Sequence, residues 1–157
     1  MASWPVSLPA IANWLEESAS FSMPVSGDLA TTANLALVVS GGHTHLFVMT
    51  ADGGSPQQVT EGAFDDNGSL DWTPDGKHLV FSANRHDDAE YHPLNSEIYE
   101  VAADGGSVRA LTDRNGPDHS AVVSPDGKHI AYVGFDDRQQ GYQVSHLYVM
   151  DRDGGHA

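Results

Sequence analysis

Thr73-Pro74-Asp75-Gly76-Lys77-His78-Leu79-Val80-Phe81 returns as Ser124-Pro125-Asp126-Gly127-Lys128-His129-Ile130-Ala131-Tyr132, 51 positions later. A recurrence on that scale decides architecture, because periods of about 40–50 residues belong to stacked supersecondary units. Two further phrases recur in the same order. Leu46-Phe47-Val48-Met49, Ile98-Tyr99-Glu100-Val101 and Leu147-Tyr148-Val149-Met150 are spaced by 52 and 49 residues. They lead into Ala51-Asp52-Gly53-Gly54, Ala103-Asp104-Gly105-Gly106 and Arg152-Asp153-Gly154-Gly155. The first two of these are followed by Gln58-Val59-Thr60 and Ala110-Leu111-Thr112, again 52 apart. Three phrases in fixed order at one spacing constitute a repeat.

Each phrase has a mechanical meaning. In Ser/Thr-Pro-Asp-Gly the proline sets φ at the first corner, the aspartate bonds nearby backbone and the glycine supplies positive φ. The turn joins a short first strand, Ser69–Trp72 or Ala121–Val123, to a second, Leu79–Ala83 or Ile130–Gly134. The third strand is Ile98–Ala102 or Leu147–Met150, where apolar and aromatic residues suit a pleated, half-buried surface. Asp-Gly-Gly then turns the chain into a polar fourth strand, Val108–Thr112. Four antiparallel strands per unit of about 50 residues predict β-propeller blades. The expected fold is all-β, a partial propeller of about three blades at 35–60, 69–112 and 119–157, the last incomplete at the C-terminus. Residues 1–34 stand outside the repeat. There Ile11, Trp14 and Leu15 after Pro9 predict one short amphipathic helix.

Composition narrows the function. Seven Lys+Arg against 22 Asp+Glu give a formal net charge of −15, and the positive residues are scattered. Such a surface repels phosphate backbones and anionic lipid, so neither nucleic acid nor membrane is an expected partner. The absence of cysteine rules out disulfides and thiolate metal sites. It suits either the cytoplasm, which is favoured, or the periplasm. No stretch reaches the ~18 apolar residues of a spanning helix.

The repeats resemble the propeller of the S9 (prolyl oligopeptidase) family of serine peptidases, in its acylaminoacyl-peptidase and dipeptidyl-peptidase-like branch. The resemblance is carried by the stretch from Phe81 to Tyr99, with Asn84-Arg85-His86-Asp87-Asp88-Ala89-Glu90-Tyr91 at its centre, and by Gly134 to Val144. It covers roughly residues 40–157. The Ser-Pro-Asp-Gly-Lys and Asp-Gly-Gly phrases are also similar to TolB-like propellers. The resemblance implies a propeller that restricts access to an α/β-hydrolase domain carrying a Ser-Asp-His triad. This chain has no Gly-x-Ser-x-Gly elbow, so no catalytic residue and no cofactor carry over. The expected function is a non-catalytic part of an S9-type peptidase, gating substrate when joined to its hydrolase domain. The alternatives are a TolB-like protein-binding module and a self-associating fragment.

Candidate chemistry is sparse. The acidic loop with Arg85, Asp87, Asp88, Glu90 and Tyr91 is the candidate gating or partner surface, because inserted propeller loops face the channel or a partner. His43 and His45, two apart on a strand, point to one face as half a metal site would; strand histidines without a metal are the preferred reading. His78 and His129 share a repeat position, which points to structure. Asp151-Arg152-Asp153-Gly154 begins like a calcium loop but belongs to the Asp-Gly-Gly turn series. Open blade edges predict a homo-oligomer.

Overall fold

The computed structural model describes residues 33–40, 42–50 and 55–157, the first of these spans as a backbone path. Ten strands form three antiparallel sheets. The first sheet, in the order β1-β2-β3, holds β1 (Ala33–Ser40), β2 (His43–Thr50) and β3 (Gln57–Gln58). The second is β4 (Leu70–Trp72), β5 (His78–Ala83), β6 (Glu97–Ala102) and β7 (Arg109–Ala110), in that order. The third is β8 (Asp118–Val123), β9 (His129–Gly134) and β10 (His146–Asp151). Each is one blade of a partial β-propeller, and no helix occurs among the described residues. The expected N-terminal helix at Ile11–Leu15 lies outside them.

The register shows that the repeat in sequence is a repeat in space. Tyr99 pairs with Phe81 and Ala110, and Phe47 pairs with Gln58, 52 positions below. Tyr148 pairs with Tyr132 as Tyr99 does with Phe81, and both pairs stack, at 5.3 and 5.6 Å. Among the described residues the first blade thus shows the second, third and fourth strands of the blade pattern. The third blade supplies the first three. The fourth strands pair over only two residues each, shorter than the Val108–Thr112 expected. Thr112 leaves the ladder because its hydroxyl accepts the Ile98 N–H at 2.9 Å.

The turns behave as their composition dictates. In Thr73-Pro74-Asp75-Gly76 the Gly76 N–H donates to Thr73 O at 2.8 Å with φ at +67°, and Asp75 accepts from the Thr73 hydroxyl and the Lys77 N–H. Ser124-Pro125-Asp126-Gly127 repeats every one of those contacts, with φ of +69° at Gly127.

The core lies between blades, because a central blade is covered on both faces. Leu79, Phe81, Ala83, Tyr99 and Val101 of the second blade pack with Leu46, Val59 and Trp72 on one side. Val80 and Ile98 point the other way, into Ala121, Val123, Ile130, Tyr132 and Met150. Adjacent residues on β5 therefore serve different interfaces, as the period of two requires. An ion pair and a hydrogen bond close the turn end of the second junction: Arg152 pairs with Glu100 at 3.1 Å and donates to the His78 ring nitrogen at 3.0 Å.

Candidate functional site

Strand direction sorts the connections into two ends. The Pro-Asp-Gly and Asp-Gly-Gly turns leave one end. The long connections at 59–69, 84–96, 111–117 and 135–145 all emerge at the other. By contrast β1 ends at Ser40 and β2 begins at His43, so that end of the first blade carries no long connection between them. The long loops are stitched to one another. Asn95 Oδ1 accepts the Gly116 N–H at 2.9 Å, and Asn115 O accepts the Asp137 N–H at 2.8 Å. The Arg85 guanidinium donates to Glu61 O at 2.8 Å. Together they form one continuous rim.

The five-residue loop cluster read from sequence is divided by the structure. Arg85 turns inward, its side chain only 11% exposed, and meets the wholly buried Asp66 carboxylate at 2.9 Å. It also lies over the Phe64 and Tyr99 rings, 4.9 and 6.0 Å from their centroids. Asp87, Asp88, Glu90 and Tyr91 stay outside on the loop tip, with Tyr91 82% exposed. Arg85 is therefore the root of the loop, and the acidic tip is what it displays.

The next junction rebuilds the same anchor from different positions. Asp118, 52 residues after Asp66, is also wholly buried, and Arg114 pairs with it. Arg114 lies 4.0 Å from the Tyr148 ring centroid, and Tyr148 holds the repeat position of Tyr99. Yet Arg114 corresponds in the repeat to Gly62, and the position of Arg85 is taken by Asp136. The guanidinium returns to the same place from another loop. Both aspartates are pushed upward in pKa by burial, against their arginines and nearby hydroxyls. Their backbones do equivalent work, with Asp66 N–H donating to Thr44 O and Asp118 N–H to Ser96 O.

Beneath the loop root sits Glu97, 1% exposed. Burial, with the charges of Asp118 and Asp113 adding to it, pushes its carboxyl up to about 7 against hydrogen bonds from the Thr112 hydroxyl and the Arg114 N–H. Oε2 accepts from Thr112 Oγ1 at 2.5 Å, whereas Oε1 faces His86 Nε2 at 3.6 Å with no hydrogen bond. The sequence reading missed Glu97. The signal was present in the repeat: His45, Glu97 and His146 occupy one position, a polar residue just before the apolar run of each third strand.

His43 and His45 stand as expected on one strand, but they meet different carboxylates, Asp65 at 3.8 Å and Asp66 at 3.7 Å. Among the described residues no three potential metal ligands converge. His78 and His129 join the turn-end network, His78 with Arg152 and His129 with Asp151. Asp151-Arg152-Asp153-Gly154 is a hairpin turn in which Gly154 N–H donates to Asp151 O at 2.9 Å.

What the rim offers outward is apolar and aromatic surface among carboxylates. Tyr91, Leu94, Tyr142 and Val144 are 82, 56, 78 and 69% exposed, and all four belong to the 84–96 and 135–145 loops. Two shallow grooves run beside them. One, of about 130 Å³, is lined by Tyr91, Leu94, Asn95, Asn115 and Asp137. The other, of about 230 Å³, is lined by Phe135, Asp136, Arg138, Val144, His146 and Tyr148. Leu94, Tyr142 and Val144 were not singled out by sequence, since isolated apolar residues in a loop carry no periodicity.

Residues 12–136 match the model of the dipeptidyl peptidase IV N-terminal region. The chain belongs to that family. A dipeptidyl peptidase IV N-terminal region is a propeller of the S9 peptidases and is not itself the catalytic part. Solved propellers share the fold. The β-propeller domain of the Trilobed protease from Pyrococcus furiosus aligns with a TM-score of 0.56 at 14% identity, over 87% of this chain and 40% of that one. The protein assigned as TolB from Agrobacterium tumefaciens aligns with a TM-score of 0.61 at 22% identity, over 83% of this chain and 49% of that one. In sequence, the uncharacterized protein Atu1656 of Agrobacterium fabrum is 29% identical over 114 residues, 70% of this chain and 36% of that protein. The Tol-Pal system protein TolB of Alcanivorax borkumensis is 35% identical over 78 residues, 49% of this chain and 17% of that protein. The chain thus spans about a third or less of the curated relatives it matches.

Proposed function

We propose that this propeller is the access-restricting part of an S9-type serine peptidase, with the long-loop rim as the surface that meets substrate or the hydrolase domain. The observation that carries the proposal is the one-sided construction of the blades. Tight turns close one end, while the loops at 84–96 and 135–145 are hydrogen-bonded into a rim that displays Tyr91, Leu94, Tyr142 and Val144. Aromatic side chains held on a rigid base give contact area at small entropic cost. The neighbouring Asp87, Asp88 and Glu90 would select for a basic or free amino end, and disfavour acidic peptides.

The test is peptide selectivity in the full-length protein containing this region. Replacing Asp87, Asp88 and Glu90 by their amides together with Tyr91→Ala should leave turnover of the shortest substrates intact. Discrimination against longer or acidic peptides should relax by about 10-fold, as for one lost contact of ordinary strength. Unchanged selectivity with length and charge would overturn the gating reading. A second reading, a protein-binding module, is favoured by the 35% identity to the TolB of Alcanivorax borkumensis over 78 residues. It would be supported if those same substitutions abolished capture of a protein partner and left hydrolysis unaltered.

A further inference from the structure

Asparagine is followed by glycine twice in the chain, at Asn67-Gly68 and at Asn115-Gly116, and both steps lie in connections that build the rim. Such a step carries a latent reaction. The backbone nitrogen after an asparagine can attack that asparagine's own side-chain amide carbon and close a succinimide ring. Glycine, having no Cβ, leaves the approach open. The fold treats the two steps in opposite ways.

At the second step both reacting groups are engaged. Asn115 Nδ2, the leaving group, donates to Asp137 O at 3.2 Å, and the Gly116 N–H, the nucleophile, donates to Asn95 Oδ1 at 2.9 Å. Gly116 is also buried. Ring closure there must first break both bonds. At the first step neither group is engaged. Asn67 is exposed, and among the described residues neither its side-chain amide nor the Gly68 N–H has a hydrogen-bond partner.

The surroundings of Asn67 make a reaction there consequential. On one side Thr44 O accepts the Asp66 N–H at 2.8 Å, and Asp65 Oδ1 accepts the Thr44 N–H at 2.8 Å. On the other, Ser69 O accepts the Ser82 N–H at 2.8 Å. Gly68 lies so close to Ser82 that a Cβ there would run into the Ser82 carbonyl oxygen. Asn67 is thus an unbonded residue between two fixed points, and the first of these points is the carboxylate that anchors Arg85.

We propose that Asn67 is a site of spontaneous covalent modification whose product loosens the root of the 84–96 loop. Gly68 N bonds to Asn67 Cγ, the Cγ–Nδ2 bond breaks, and ammonia leaves with the proton of the Gly68 amide. Water then opens one or the other C–N bond of the imide, giving aspartate or isoaspartate, and nothing is oxidised or reduced. Aspartate adds a carboxylate beside Asp65 and Asp66. Isoaspartate also inserts a backbone atom between Asp66 and the wedged Gly68. With both flanks held, the extra length draws Asp66 away from Arg85. This chemistry is independent of whether the rim meets substrate.

The test incubates the whole chain in mildly alkaline buffer, folded and in concentrated urea, and follows both asparagines by peptide mapping with mass spectrometry. In the fold Asn67 should convert at least ~10-fold faster than Asn115, as the two hydrogen bonds held only at the second step imply. In urea the two rates should converge. Asn95→Ala, which removes the acceptor from the Gly116 N–H, should speed Asn115 and leave Asn67 unchanged. As isoaspartate accumulates at position 67, amide hydrogen exchange in the 84–96 loop should quicken. Asn67→Gln, whose longer side chain cyclises far more slowly, should abolish both the conversion and the loosening. Equal rates in the fold, a difference that persists in urea, or isoaspartate at position 67 with the 84–96 loop as protected as before would each overturn the inference.

Discussion

Glu97→Gln isolates the buried carboxyl under the loop root. The wild-type group titrates near 7 in the fold against an ordinary 4.5, so the folded chain binds its proton more tightly than the unfolded chain. For a carboxyl shifted upward, the favourable contribution is complete below about pH 4.5. It is lost as pH rises towards about 7, because the unfolded chain then releases a proton that the folded chain still holds. At about 1.4 kcal/mol per unit, the shift amounts to a loss of roughly 3 kcal/mol across that window. Glutamine mimics the neutral acid and has nothing to lose. Urea unfolding at a series of pH values from 4.5 to 8 measures both proteins. The quantity of interest is the difference between them, in which every other titrating group cancels. The variant should fall slightly below or match the wild type at pH 4.5 and exceed it by about 2–3 kcal/mol at pH 8. His86, whose Nε2 lies 3.6 Å from Oε1, is the residue best placed to blunt the effect by charging; His86→Ala in both backgrounds removes it. A difference independent of pH would refute the reasoning, since it would mean that Glu97 is charged and satisfied in the fold.

Two further substitutions probe the anchors. Arg85→Ala strands the buried Asp66 carboxylate, and should cost about 3–5 kcal/mol in chemical unfolding. Arg85→Ala/Asp66→Asn should recover a good part of that, because the stranded charge rather than the lost pair is the larger penalty. Gly134→Ala would place a Cβ 2.1 Å from Asp118 Oδ1 and 2.8 Å from Arg114 Nη2. The expected cost is about 1–3 kcal/mol in the same assay, whereas the converse Ala83→Gly in the second blade should cost about 1 kcal/mol.

The repeat made the strands and turns legible because both are local. Proline, aspartate and glycine at fixed offsets define a turn, and alternating apolar residues define the strands on either side. Even the cross-strand stacks Phe81–Tyr99 and Tyr132–Tyr148 follow from position. Two kinds of feature were not legible. Arg85 reads as one charge in an acidic loop, and only the packing shows it facing Asp66, 19 residues earlier, instead of Asp87 or Asp88. Likewise the junction as a unit is invisible when each blade is read by itself. Asp71 looks like ordinary strand sequence until its carboxylate is seen accepting the Val123 N–H of the next blade at 2.8 Å. What separates the legible from the hidden is sequence distance, not chemistry.

The two arginine anchors bear on why the rim is suited to recognition. A buried aspartate at the entry to each inner strand is costly unless a cation meets it. At the first junction that cation comes from the 84–96 loop, and at the second from Arg114 in the 111–117 connection. In the first case the arginine is itself a residue of the long loop and fixes it at its root; in the second, Arg114 reaches across to Asp136 of the 135–145 loop at 3.7 Å. Arg85 is tied to Asp66 and Glu61 O, and Asn84 Nδ2 donates to His92 O at 2.7 Å across the loop's neck. The Asp87–Tyr91 tip is thereby held at a set place and height while remaining open to solvent. The 135–145 loop carries no buried arginine of its own; it is tied by Asp136 to Arg114 and by Asp137 to Asn115, and braced internally by Gln143. A pre-ordered loop gives up less entropy on binding than a free one. On that ground the 84–96 loop should supply the larger share of specificity at the rim, and its neighbour the adaptable side.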